Sequence, residues 1–222
     1  MLIWPEHATF DSFVPSQNAH LLAHLSDIVE GEAEFCTYLY ALEGGLGLTH
    51  LLQATCRAVT QNGKAAAYFS FKDENLVPQA LEGMETISLL CLDDIELAAD
   101  QANWAETLFN LYHRLQDAQM HLLIAGRGLP KEMRWSLPDL QSRFAAASIF
   151  QVSSISDEEK IAVLQQRANA RGLTLTQEVG QYLLSRFPRN MHALIDTLDI
   201  LDRAALSAQR RLTIPFIKTV FS

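Results

Sequence analysis

Long apolar runs are missing from this chain of 222 residues. No stretch approaches the roughly 18 consecutive apolar residues of a membrane-spanning helix. The first thirty residues contain Glu6, His7, Asp11 and Asp27, so no signal-peptide core exists there either, and a cytoplasmic location is expected. Cysteine is scarce. Cys36, Cys56 and Cys91 lie among apolar neighbours without the close sequence pairing of a zinc site or redox motif, and they read as small buried hydrophobes. His7, His20, His24, His50, His113 and His121 are scattered without metal-ligand spacing. Clustered positive charge is also lacking: residues 1–152 carry 8 basic against 19 acidic side chains, residues 153–222 carry 9 against 7, and the net charge is −9. Neutralising nucleic-acid phosphates needs grouped Lys and Arg, so direct sequence-specific DNA binding is not expected and a protein partner is. Trp4, Trp104 and Trp135 are isolated from basic residues, which argues against a stacking platform for single strands. No repeat of fixed period and no low-complexity tract occurs, and 49% of the residues are hydrophobic, which excludes a solenoid and a disordered chain.

What is present alternates in type. Residues 18–30 space Leu21, Leu22, Leu25 and Ile28 as an amphipathic helix. FCTYLYAL (35–42) reads as a buried strand, Thr49 to Gln61 as a helix, AAAYFSF (65–71) as a second strand, 76–84 as a short helix, TISLLCLDD (86–94) as a third strand, 103–118 as a long helix and MHLLIAG (120–126) as a fourth strand. That order predicts an α/β domain over residues 1–152 with a parallel sheet covered on both faces. Residues 153–222 change character. A helix over 155–172 has Ser156 as N-cap ahead of Glu158 and Glu159 and stops at Gly172; helices follow near 176–187 and 190–208, and LTIPFIKTVF closes the chain. This second module is all-helical and too small to bury much surface alone.

YALEGGLGLTHLL (40–52) has the rhythm of a phosphate loop. Such a loop reads G-x-x-x-x-G-K-[ST]: glycines let backbone N–H groups converge on phosphates, lysine reaches the β and γ oxygens, and the hydroxyl ligates magnesium. Aligned on Gly47 and Thr49, this chain has Leu42 for the first glycine and Leu48 for the lysine. Gly44, Gly45 and Gly47 still precede a helix that starts near Thr49, so an amide nest and a positive helix end remain without the ammonium. A Gly-rich turn that binds nothing is the alternative. LLCLDD supplies the second signal, because a carboxylate at the C-terminal end of a buried parallel strand faces the ligand crevice. Asp93 would hold magnesium and Asp94 would orient water, against the simpler reading of two solvated acids at a strand end.

GGLGLTHLL and LLCLDDIE, with TFDSFV ahead and LPDLQSRF behind, resemble the AAA+ ATPase domain of the bacterial replication initiator DnaA, and residues 158–201 resemble that family's helical lid. The likeness runs from about Thr9 to Phe221, with no DNA-binding domain after the lid. It implies an AAA+ P-loop NTPase fold followed by a lid. It also implies a nucleotide, ADP foremost, with Phe10, Phe13, Val14 and Ile161 around the base. Gly44, Gly45, Leu46, Gly47, Leu48, Thr49 and His50 would form the phosphate loop, and Thr49 and Asp93 would sit at Mg2+. Arg143, in LQSRF, matches the family's arginine finger, which acts in trans; an ordinary loop-capping surface arginine is the alternative. His192 stands where the lid supplies a second-sensor arginine, with a ligand-free helix-surface histidine as the alternative. Ala125 and Gly126 replace a polar first sensor, and Arg127 reads as a loop charge.

The departures agree with one another. A cation at partly screened distance is worth on the order of 4 kcal/mol per unit charge, so Leu48 penalises a triphosphate more than a diphosphate. The resemblance thus implies a diphosphate-bound regulator that inactivates DnaA by promoting hydrolysis of its ATP. The DNA-loaded sliding clamp and further copies of the chain are the other implied partners. A clamp-binding peptide would carry a glutamine and leucines, and MLIWP lacks the glutamine. A non-hydrolysing adaptor or helicase-loader-like module, and an autonomous ATPase, are the competing readings.

Overall fold

A computed structural model of the chain describes residues 4–5, 8–13 and 16–221. They form two compact units that divide between Ser153 and Ser154.

The first unit is built on five strands: β1 (Cys36–Tyr40), β2 (Ala66–Ser70), β3 (Leu89–Asp93), β4 (His121–Gly126) and β5 (Ser148–Gln151). They lie in the order β2-β3-β4-β1-β5, and every pairing is parallel. Parallel neighbours require crossovers, and helices make most of them. These are α1 (Ala19–Glu30) ahead of the sheet, α2 (Leu48–Gln61), α3 (Glu96–Ala99), α4 (Ala102–Asp117) and α5 (Pro138–Ala145). Burial on both faces explains the unbroken apolar runs. Leu39, Leu89, Cys91, Leu123 and Ala125 join the core under α1 and α2, whereas Tyr38, Leu90, Leu92, Leu122 and Ile124 join the core under α4 and α5. The three cysteines are buried and unbridged, and Cys56 of α2 lies 3.3 Å, sulfur to sulfur, from Cys91 of β3.

Several elements differ from the sequence expectation, the short α3 among them. β5 is an extra, fifth strand: four residues at the sheet edge, half-buried, with too short a pattern to announce a strand. Helix α5 begins with Pro138 at its first position, where a missing N–H costs nothing, and buries only Leu140 and Phe144. The segment expected as a helix over 76–84 forms two 3-10 turns, Pro78–Leu81 and Met84–Thr86, separated by Gly83 at φ 76°.

The second unit holds α6 (Asp157–Ala170), α7 (Gln177–Arg186), α8 (Met191–Ala208) and α9 (Ile214–Val220). It encloses a core of its own, including Leu164, Leu183, Leu194, Leu198 and Leu201, each fully buried. Helix α6 starts in a reciprocal capping box: Glu159 N–H donates to Ser156 Oγ at 3.2 Å and Ser156 N–H donates to the Glu159 carboxylate at 2.7 Å. Replacing Ser156 by alanine is expected to cost the helical unit about 1 kcal/mol, read as a lower denaturant midpoint in helix circular dichroism. No helix among the described residues is long and apolar enough to cross a membrane.

Candidate nucleotide site

Strand β1 ends at Tyr40, and the chain turns through residues 41–47 into α2. Gly45 (φ 80°) and Gly47 (φ 94°) take left-handed backbone, which residues with a Cβ adopt at a cost. Gly47 is the N-cap of α2 and no side chain caps this end. The amides of Leu48 and Thr49 have no intrahelical acceptor, and the positive end of the helix dipole adds to them, an arrangement suited to an anion.

Hydrogen bonds and ring contacts draw the N-terminal segment over the start of α2. His50 Nε2–H donates to the Thr9 carbonyl at 2.9 Å, and the Phe13 and His50 rings stack at 6.1 Å with a 23° interplanar angle. A Cβ on Gly47 would stand 2.9 Å from the Phe13 ring, so glycine is needed for the close approach as well as for the turn. Phe10, Phe13, Leu46 and Leu48 pack against the core under α1 and α2. Leu48 is therefore an apolar anchor of the helix start, and the place of the lysine is filled by core packing. Val14 lies outside the described residues, as does the side chain of His192, which is the second residue of α8.

Both acids at the end of β3 are buried, and their partners differ. The Asp93 carboxylate accepts from Thr49 Oγ1 at 2.6 Å, from the Tyr68 hydroxyl at 2.8 Å and from the Asp94 amide at 2.9 Å. Thr49 and Asp93 offer two hard oxygens of the kind magnesium takes, but here they are hydrogen-bonded to each other, closer than the roughly 3.0 Å between neighbouring positions of an octahedron with ligands at about 2.1 Å. Three or more His, Cys, Asp or Glu side chains in metal-holding proximity do not occur among the described residues. Burial raises the Asp93 pKa above the ordinary carboxylate range, with the Asp94 charge adding to the rise and the hydrogen bonds from Thr49 and Tyr68 opposing it. Burial and the Asp93 charge push the Tyr68 phenol far up, so it stays a donor.

The linkage sign follows. Folded protein holds the Asp93 proton more tightly than unfolded protein does, so this carboxyl favours the native state below its raised pKa and opposes it above. Lowering the pH from 7 through that raised pKa toward about 4, the unfolded value, is expected to diminish the destabilisation Asp93 brings. Urea unfolding of the parent and Asp93→Asn across this range, where their difference in stability should narrow, checks it.

Asp94 sits in left-handed backbone at φ 57° and faces β2. It accepts from Ser70 Oγ at 2.7 Å and pairs with Lys72 Nζ at 2.5 Å. An ion-paired carboxylate of this kind is a poor water-orienting base.

Arg143 lies in the last turn of α5, exposed, with no hydrogen bond or ion pair among the described residues. Its helix is held by Leu140 and Phe144 to the core opposite the one beneath α2. Ile161, in α6, is buried in the helical unit against Gly180 of α7, where a Cβ would stand 2.6 Å from it.

The structure thus gathers Phe10, Phe13, Gly44 to His50 and Asp93 about one end of the sheet, with Arg143 on another face. Tyr68, Ser70 and Lys72 were not singled out from the sequence. Their signal was the alternation of polar residues at the end of the second strand, which the register sets beside the acids, with Tyr68 opposite Cys91 and Ser70 opposite Asp93.

Two family models match the chain: that of the bacterial DnaA ATPase domain over residues 5–151, and one described as Hda, lid domain, over residues 157–221. Among solved structures, domain III of the Thermotoga maritima replication initiation protein DnaA superposes with a TM-score of 0.80 at 17% identity, covering 99% of this chain and 97% of that one. AMPPCP-bound DnaA from Aquifex aeolicus gives 0.78 at 19% identity, over 93% and 68% of the two chains. The Thermotoga maritima RuvB Holliday junction branch migration motor gives 0.71 at 15% identity, over 98% and 72%. At these identities the likeness to the solved structures is one of fold.

Proposed function

Because the chain belongs to the family of the bacterial DnaA ATPase domain, with a lid that matches the Hda model, we propose that it is an AAA+ regulator that inactivates the initiator. Bound to ADP, it docks on DnaA carrying ATP and presents Arg143 in trans. The guanidinium there neutralises charge developing on the transferred phosphoryl group. Hydrolysis then leaves the initiator in its less active form.

The observation that carries this reading is Arg143 itself: an exposed guanidinium with no hydrogen bond or ion pair among the described residues, held on a well-anchored helix that packs on the core opposite the one beneath α2. Hydrolysis by the chain itself is disfavoured by the same structure, since Leu48 is spent on the core and Asp94 is tied to Lys72. The loop amides and the α2 N-terminus suffice for a diphosphate, with Phe10 and Phe13 beside the base. Mg2+, when bound by Thr49 and Asp93, would supply charge neutralisation at the phosphates. The DNA-loaded sliding clamp and self-association belong to the same proposal, and both would raise the local concentration of Arg143 at the initiator.

Purified chain mixed with ATP-loaded DnaA, with and without clamp on DNA, tests the reading. The rate of ATP loss from the initiator should rise with added chain, while the chain alone turns over little ATP. Steady turnover by the chain alone, with none stimulated in DnaA, would instead establish an autonomous ATPase.

A further inference from the structure

Lacking its lysine, the phosphate loop has a cation from another strand. Gly126, the last residue of β4, is the register partner of Tyr40, the last residue of β1, and its carbonyl accepts from the Ala41 amide at 3.4 Å. The loop and Arg127 therefore leave the sheet side by side, at the same end, from adjacent parallel strands. Arg127 Nη2 lies 3.7 Å from where a Cβ on Gly44 would stand, in van der Waals range of the middle of the loop. Only glycine fits at 126, since a Cβ would come within 2.7 Å of both Ile95 and the Tyr38 hydroxyl, and this close packing sets the path from which Arg127 departs.

Glu96 orients the arginine without consuming it. The Arg127 amide donates to Glu96 Oε2 at 3.1 Å, and the guanidinium approaches Oε1 through Nε at 3.7 Å, with the Arg127 side chain 63% exposed. An exposed pair at that distance is weak, and Nη2 stands toward Gly44. A guanidinium is also suited to phosphate, as a planar fork of donors that stays charged at any relevant pH.

We propose that Arg127 replaces the missing phosphate-loop lysine, contacting in cis the phosphates of a nucleotide held by the loop. The proposal rests on the reading of residues 40–52 as a nucleotide site. It assigns the cation to the end of β4, the central strand, and leaves position 48 to the core. Arg127 then acts on this chain's own ligand, and Arg143 on the partner's.

Calorimetric titration with ADP and with adenosine tests it, using the parent, Arg127→Ala, Arg127→Lys, Leu48→Lys and the double variant Leu48→Lys/Arg127→Ala. Arg127→Ala is expected to weaken ADP by about tenfold or more and to leave adenosine unchanged, because the lost hydrogen bonds are to charged oxygens alone. Arg127→Lys should fall between the two. In the Leu48→Lys background the same alanine substitution should cost less than about threefold, since two residues that serve one ligand group are not additive. ADP binding by Arg127→Ala equal to the parent overturns the inference while leaving the nucleotide site standing. An equal loss for adenosine overturns it too, as that marks a structural role. A parent that ignores ADP at millimolar concentration removes the nucleotide reading and this inference together.

Discussion

Replacing Arg143 by alanine is expected to lower stimulated hydrolysis of DnaA-bound ATP by on the order of 10³-fold, the scale on which an arginine supplied in trans acts in well-studied GTPases. The mechanism predicts where the loss appears. A guanidinium that meets charge only as the phosphoryl group transfers changes the rate of the step and barely changes docking, so saturating the initiator with variant should not restore turnover. Stability should move by no more than about 0.5 kcal/mol, because the side chain is exposed and has no hydrogen bond or ion pair among the described residues. ADP affinity of the variant should equal that of the parent, since α5 packs on the core opposite α2. Arg143→Lys should rescue poorly, for a point charge on a flexible stem does not reproduce a planar fork. Single-turnover loss of radiolabelled ATP prebound to DnaA is the measurement. Full stimulation by Arg143→Ala would hand the function to the adaptor reading, in which the cleft and its arginine are scaffolding.

Truncating the neighbouring Phe144 should produce the largest stability loss in the sheet unit, about 3–5 kcal/mol for Phe144→Ala. Its ring is fully buried, edge-on to Trp135 at 5.2 Å between centroids and tilted against Tyr112 at 6.2 Å. Removing it takes away both the transferred area and two aromatic contacts, and leaves a cavity between α4, α5 and the sheet. A typical domain has only about 5–15 kcal/mol in total, so the variant should be marginal at ambient temperature. Trp4, Trp104 and Trp135 all belong to the sheet unit, so tryptophan fluorescence during urea unfolding reads that unit alone. The milder Phe144→Leu should stay folded and still stimulate DnaA less than the parent, because Arg143 rides on the helix that Phe144 anchors. Unchanged stimulation by a folded Phe144→Leu would show that the guanidinium finds its target without a fixed helix.

Legibility followed chain distance. The N-cap of α6 was visible because Ser156 and the acids of the first turn lie within three residues of one another, and the structure adds the reciprocal bond from Glu159. The acid pair was visible as two carboxylates closing an apolar strand after a Gly-rich turn, a pattern that two solvated acids at a strand end would also give; their burial came only with the fold. The edge strand β5 was not. Four half-buried residues carry too little periodicity, and only pairing with β1 makes SIFQ a strand. The roles of Lys72 and Arg127 were not legible either, because each is a loop charge whose neighbour in space, Asp94 or Gly44, lies far along the chain.

By itself the sequence determined the layered α/β architecture, the helical second unit, the glycine turn and the missing ammonium, because hydrophobic period and turn chemistry act over a few residues. The family likeness followed from those motifs. What the acids and cations do was decided only by tertiary structure. Parallel register places Ser70 beside Asp93 and Tyr40 beside Gly126, and it is this lateral pairing that ties Asp94 to Lys72 and sets Arg127 against the loop. Electrostatic energy depends on distance through space and on burial, and neither can be read along a chain until the strands have been laid side by side.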